Sequence, residues 1–184
     1  VALQGDVSLH AEMLRQLGTE PLLVKTPAQL RGVQGLVIPG GESTALLRLM
    51  EPTGLLGAIA DFAGQGGHIF GTCAGAILLA RQVTNPVQTG LGLIDITVER
   101  NAYGRQINST ETTGQMRPPL GKGELPMTFI RAPRIIATSQ AVKVLAIHDG
   151  EPVMVQQAQV IVSTFHPELT NSLAVYTYWL SQIT

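Results

Sequence analysis

The sequence predicts an α/β fold: a mostly parallel central sheet with helices on both faces and antiparallel hairpins added to it, a flavodoxin-like arrangement. Short, largely apolar runs such as Gly35-Leu36-Val37-Ile38 and residues 160–165 read as strands covered on both faces. These runs alternate with stretches of helical period through residue 80, the pattern of a parallel sheet wrapped by helices. Charged residues make up only 14% of the 184 residues, against 45% hydrophobic. That is well under the usual quarter of charge, as buried strands or a surface occupied by a partner require.

Taken in order, residues 1–4 read as the tail of a strand broken at Gly5-Asp6. A start inside a strand implies that further residues, an initiator Met among them, precede Val1. From Val7 a helix carries Leu9, Met13, Leu14 and Leu17 on its apolar side and stops at Gly18, with His10 assigned to the polar side as a structural or solvated residue. Residues 21–25 are expected as a second strand, and Thr26-Pro27 opens a helical turn, proline being suited to the first helical position. The third strand, residues 35–38, ends at Pro39-Gly40-Gly41, and helices are expected over 45–50 and 54–62. Residues 68–70 are a strand running into Gly71-Thr72-Cys73-Ala74-Gly75, with a helix over 74–80.

The character changes after residue 91. Residues 93–99 alternate as a strand, 101–123 are polar without a clear period, and strands return at 125–131, 134–138, 142–148 and 153–157. A last apolar strand, 160–165, ends at His166-Pro167-Glu168, and a helix over 172–183 closes the chain. No repeat and no linker rich in Pro, Ser or charge divides it, so residues 1–184 are expected to form a single domain.

A net charge of −1 argues for neither nucleic acid nor an anionic membrane as partner. No apolar run reaches the ~20 residues that span a bilayer. The single cysteine excludes an internal disulfide and fits a reducing, cytoplasmic setting. The four histidines are scattered without metal-ligand spacing, and neither a metal nor a cofactor is expected.

Cys73 stands at a strand-to-helix turn with a glycine two places to either side. A nucleophile elbow has this shape, and backbone N–H groups opening the following helix favour a thiolate. A buried, inert thiol is the competing reading for a lone cysteine. A thiol of ordinary acidity is only a few per cent ionised at neutral pH and needs a base. His166 ends an apolar strand at the sheet edge that carries the elbow, and Glu168 has the chemistry to orient its imidazole; alone, His166 serves equally well as a helix-capping histidine. His68 and His148 read as structural or solvated. The N–H of Ala74 and a second N–H from Gly40-Gly41, with Gly41 as donor, can form an oxyanion hole, although an ordinary glycine turn is as good an account of Gly40-Gly41. Arg100 and Arg131 each follow a predicted strand and suit a bidentate grip on a carboxylate; a solvated basic face is the alternative, favoured for Arg105, Arg117 and Lys122.

Together these stretches resemble the triad-type (class I) glutamine amidotransferase domain, in which Cys, His and Glu occur in this order with the last two spaced His-x-Glu. Pro39-Gly40-Gly41-Glu42-Ser43-Thr44 and Arg100-Asn101-Ala102-Tyr103-Gly104-Arg105-Gln106 are similar to one branch, the glutaminase subunits of pyridoxal 5′-phosphate synthase. Ala2-Leu3-Gln4-Gly5-Asp6, Phe129-Ile130-Arg131-Ala132-Pro133 and Thr164-Phe165-His166-Pro167-Glu168-Leu169-Thr170 carry the same resemblance. It implies hydrolysis of L-glutamine to glutamate and ammonia through a thioester. Cys73 would be the nucleophile, His166 the base and acid, Glu168 the orienting carboxylate, and Gly41, Glu42, Ser43, Arg100, Ile130 and Arg131 the glutamine-binding residues. It further implies a hetero-oligomer in which ammonia is channelled to a synthase subunit, with activity dependent on that partner, Gly40-Gly41 as the switch and Gln4 as a contact to it. Two other readings stay open: a stand-alone cysteine hydrolase of γ-glutamyl bonds, and a non-catalytic redox-sensing domain displaying Cys73.

Overall fold

A computed structural model describes residues 7–102 and 109–183. The expected strand at residues 1–4, Gln4, and the Tyr103 to Gln106 part of the arginine motif lie outside the described residues.

Three strands form the part of the sheet that matters most for function: β1 (Gly35–Ile38), β2 (His68–Thr72) and β10 (Val160–Ser163). β2 lies between the other two, parallel to both. Their side chains alternate between two cores, as strands buried on both faces must. Leu36, Ile38, Ile69, Val160 and Val162 face one cluster, built with helices α2 (Ser43–Met50), α3 (Leu55–Gly64) and α4 (Ala74–Leu79). Phe70 and Ile161 face the other, built with α1 (Val7–Gln16) and α5 (Ala174–Ser181). Helices therefore cover both faces, as expected.

Beyond β10 the sheet continues antiparallel through β9 (Glu151–Gln157), β8 (Lys143–His148), β5 (Thr110–Met116) and β6 (Glu124–Phe129). A separate sheet joins β3 (Ala80–Thr84), β4 (Ile94–Glu99) and β7 (Arg134–Thr138). The added antiparallel strands are thus present, and periodicity missed two strands, one among them and one in the separate sheet. β5 lies within the polar stretch that shows no clear period; its mostly exposed, threonine-rich side chains hide a strand hydrogen-bonded on both sides. β3 begins at Ala80, where the helix expected over 74–80 ends one residue early and turns extended. Conversely, residues 21–25 pair with no described strand; Leu22 and Leu23 are exposed and only Val24 is buried. No described helix is long and apolar enough to cross a membrane.

Candidate active site

The elbow follows from close packing at the ends of β1 and β2. Cys73 has φ 48° and ψ −103°, a conformation L-residues adopt at a cost of ~1–3 kcal/mol and keep only where the surroundings enforce it. The flanking glycines supply that enforcement. A Cβ at Gly75 would stand 2.2 Å from the Ile38 carbonyl oxygen, and one at Gly71 2.8 Å from the Gly75 carbonyl carbon. Strand β1, strand β2 and helix α4 can meet this closely only without those side chains. The Cys73 N–H donates to the Ser163 carbonyl at 2.9 Å, anchoring the turn to β10.

That register also delivers the base. Ser163 pairs with Thr72 across the parallel β10–β2 ladder, so the residues just past β10 lie beside those just past β2. His166 is there, its N–H donating to the Thr128 carbonyl of β6 at 2.8 Å. Its Nδ1 lies 2.7 Å from Glu168 Oε1, and its ring stands beside Cys73, the two flanking the same point at Gly40. Gly40 closes the other side: a Cβ there would stand 2.6 Å from His166 Cε1 and 3.4 Å from Cys73 Cβ. The Pro39-Gly40-Gly41 turn is therefore packed directly on the reactive pair.

Burial opposes charge on His166, but its hydrogen bonds to Cys73 and Glu168, and their charges, raise its pKa from 6.5 to about 10. Glu168 shows the mirror case. Burial favours its neutral form, yet the His166 hydrogen bond and the favourable electrostatics of the neighbouring His10 and His166 rings hold it below the ordinary carboxylate range. The arrangement favours transfer of the Cys73 proton to His166, between the sulfur and a buried carboxylate, and such perturbation marks functional sites. Cys73, His166 and Glu168 are all buried.

The other sequence-derived candidates fall around this centre. Gly41 has φ 137°, open to glycine and strained for other residues. Ala74 is the first residue of α4 and is fully buried. Glu42 caps α2, its carboxylate accepting from the N–H groups of Thr44 and Ala45 at 3.0 and 2.7 Å. Arg100 reaches the same carboxylate and the Thr44 hydroxyl, both at 3.2 Å. Buried Ser43 donates to Gln88 Oε1 at 2.9 Å, which makes Gln88 a neighbour that no motif pointed to. Half-buried Ile130 and exposed Arg131, the latter with φ 43°, follow β6 directly, the strand whose Thr128 carbonyl holds the His166 backbone. His148 meets the Thr113 carbonyl and the Phe129 ring, and His68 starts β2 at the opposite end from Cys73.

One expectation is corrected. His10 does not face solvent: it is 3% exposed and lies behind Glu168, its Nε2 3.5 Å from Glu168 Oε1. The signal was present, since residues 10, 13, 14 and 17 follow the i, i+3, i+4, i+7 spacing of one buried helix face. Among the described residues no cluster of His, Cys, Asp and Glu is placed to hold a metal ion.

Known proteins share this sequence and this fold. The family model of the SNO glutamine amidotransferase family matches residues 1–184. A pyridoxal 5′-phosphate synthase subunit PdxT from Thermotoga neapolitana is 45% identical over 183 residues, covering 100% of this chain and 97% of that protein. The PdxT subunit of Koribacter versatilis is 48% identical over 183 residues, covering 100% and 93%. A crystal structure of a glutamine amidotransferase superimposes with a TM-score of 0.91 at 40% identity, covering 98% of this chain and 95% of that one.

Proposed function

The chain belongs to the SNO glutamine amidotransferase family and is a glutaminase supplying ammonia for vitamin B6 synthesis; on that premise we propose that Cys73, His166 and Glu168 are its catalytic triad. The observation that carries this reading is the buried His166–Glu168 hydrogen bond of 2.7 Å, with Cys73 on a strained elbow beside the same imidazole. Cys73 gives its proton to His166 and attacks the side-chain amide carbon of glutamine as a thiolate. The tetrahedral oxygen is received by the N–H groups of Ala74 and Gly41. His166 returns the proton to the departing nitrogen, the C–N bond breaks, and ammonia leaves a thioester on Cys73. Water then attacks the thioester, His166 takes its proton and passes it to sulfur, and glutamate is released. Glu168 holds the imidazole tautomer and stabilises the imidazolium throughout.

Glu42, Ser43, Arg100, Ile130 and Arg131 bind the amino-acid end of glutamine in this proposal. Arg100 is supported in that role by its position at the start of α2, where it shares the Glu42 carboxylate and keeps a planar guanidinium beside the Gly41 turn. The chain works as one domain with a pyridoxal 5′-phosphate synthase subunit as partner, in a cytoplasmic setting that suits its single free thiol. Ammonia passes to that subunit, Gly40-Gly41 is the switch on which partner dependence acts, and Gln4 is a contact to the partner. The imidazole and carboxylate behind Cys73 weigh against a non-catalytic redox sensor.

Replacing Cys73 by Ala is expected to abolish glutamine hydrolysis, measured as glutamate release by the full chain assembled with the synthase subunit. Wild-type turnover in that variant would overturn the triad. Adding the synthase subunit to the wild-type chain is expected to raise its turnover strongly; a high rate in the isolated chain would remove the partner dependence and leave the enzyme.

A further inference from the structure

Glu168 is a buried carboxylate whose compensation is incomplete. Oε1 receives His166 Nδ1 at 2.7 Å, while Oε2 is inaccessible to solvent and has no hydrogen-bond partner among the described residues. A buried carboxylate served by one side chain is costly unless further positive potential reaches it. That potential comes from α1. His10 Nε2 lies 3.5 Å from Glu168 Oε1 and 3.3 Å from Thr72 Oγ1, the hydroxyl of the residue preceding the nucleophile. On its other side, His10 Nδ1 meets the Tyr176 hydroxyl of α5 at 2.7 Å.

The partners settle the hydrogen positions. Tyr176 is fully buried and faces the charge of Glu168; both effects push its hydroxyl pKa upward, so the phenol keeps its proton. The ionised Glu168 Oε1 can only accept, which places a hydrogen on Nε2; in the neutral imidazole Nδ1 then accepts from the Tyr176 hydroxyl. Nε2 lies 3.3 Å from Thr72 Oγ1 and 3.5 Å from Glu168 Oε1. The ring itself is locked by an edge-on contact with Tyr176, centroids 5.9 Å apart, and Tyr176 in turn packs edge-on against Phe70 of β2.

We propose that His10 is a positioning residue of the triad: held by Tyr176, it fixes the Glu168 carboxylate and the Thr72 hydroxyl in one arrangement, and through Glu168 it sets the orientation of His166 toward Cys73. The line Tyr176–His10–Glu168–His166–Cys73 joins α5, α1, the turn after β10 and the elbow into one polar chain crossing the core. It makes helix α1 part of the catalytic support, although no atom of α1 takes part in the reaction. The inference rests on the triad assigned above.

The test compares His10→Phe, His10→Gln and Tyr176→Phe with wild type and Cys73→Ala, all as full chains assembled with the synthase subunit. His10→Phe keeps a ring of similar size and removes both polar contacts; Gln restores a donor where Nε2 stands. In His10→Phe, kcat is expected to fall about 10- to 100-fold, the span of a lost hydrogen bond to a charged group, while KM for glutamine stays within about threefold. The groups facing Glu168 are His166, His10 and Tyr176. Loss of His10 weakens the hold on the ionised carboxylate, so the acid limb of kcat/KM moves to higher pH. His10→Gln recovers most of kcat and returns the limb, and Tyr176→Phe shows a smaller change in the same direction. A folded His10→Phe with wild-type kcat and an unmoved acid limb overturns the proposal. If His10→Phe does not fold, unchanged kcat and pH profile in both His10→Gln and Tyr176→Phe, with only the unfolding temperature lowered, do so equally. Full activity of Cys73→Ala is a different outcome and removes the triad itself.

Discussion

Gly40→Ala isolates one contact of the site. The Gly40 backbone lies outside the positive-φ region, so alanine adds no backbone strain and the perturbation is the methyl group alone. That methyl would stand 2.6 Å from His166 Cε1, 3.3 Å from Nδ1 and 3.4 Å from Cys73 Cβ. Carbon pairs sit best at ~3.5–4.0 Å, so the imidazole or the Pro39–Gly41 turn must retreat by roughly 0.9 Å, the difference between 3.5 and 2.6. The imidazole is tethered to Glu168 at 2.7 Å and by its own N–H to Thr128, so any retreat spoils either that tether or the contact with Cys73. Misplacement of a reacting group by ~1 Å costs about 10²-fold in rate, and overpacking costs about 1–3 kcal/mol in stability. The assay is steady-state glutamate release with the synthase subunit present, alongside thermal unfolding. The expected result is a folded protein with kcat reduced about 100-fold. A folded Gly40→Ala with wild-type kcat would show that the turn does not bear on the catalytic pair.

Further outcomes follow from the cap and from the charges. Glu42→Ala removes the α2 N-cap, with an expected loss of about 1 kcal/mol read from a urea unfolding midpoint; the Glu42–Arg100 pair adds little because Glu42 is largely exposed. The same variant is expected to raise KM for glutamine, since Arg100 loses an anchor beside the proposed binding segment. Stability is expected to vary with pH on both sides of neutrality. His166 has its pKa raised from 6.5 to about 10, so its contribution is whole below the unfolded value and lost as pH rises through about 10. Glu168 is held below 4.5, so its contribution is present above that value and lost as pH falls through the folded one. Thermal unfolding across pH measures both limbs. Cys73→Ala removes a partner that raises His166, and its alkaline limb is expected to be shallower; an identical limb would contradict the coupling.

Much of the candidate site was legible because its determinants are local. Gly71-Thr72-Cys73-Ala74-Gly75 encodes a strand-to-helix elbow within five residues, and the close approaches to Gly75 and Ile38 explain why both glycines are needed. His166-Pro167-Glu168 announces itself at the end of an apolar run, and its two-residue spacing lets the carboxylate fold back onto Nδ1. The alternation of apolar strands and helices likewise sufficed for the two-faced α/β architecture, because burial on both faces leaves strands no polar positions.

Other features were settled only by tertiary structure. β5 depends on β6 and β8 for its hydrogen bonds, and its Thr-Glu-Thr-Thr-Gly-Gln-Met sequence carries too little apolar alternation to be distinguished from a loop. The placement of β10 against β2, which brings His166 to Cys73, joins strands about ninety residues apart and is a property of sheet order rather than of either segment. His10 is the sharpest case. Its spacing placed it on the buried face of α1, yet an imidazole is tolerated there only because Tyr176, 166 positions away, and Glu168 satisfy it. The chain itself specified which residues could do chemistry at the sheet edge. The folded core decided which of its histidines stands behind the triad, because burial of a polar ring is determined by partners that no local pattern contains.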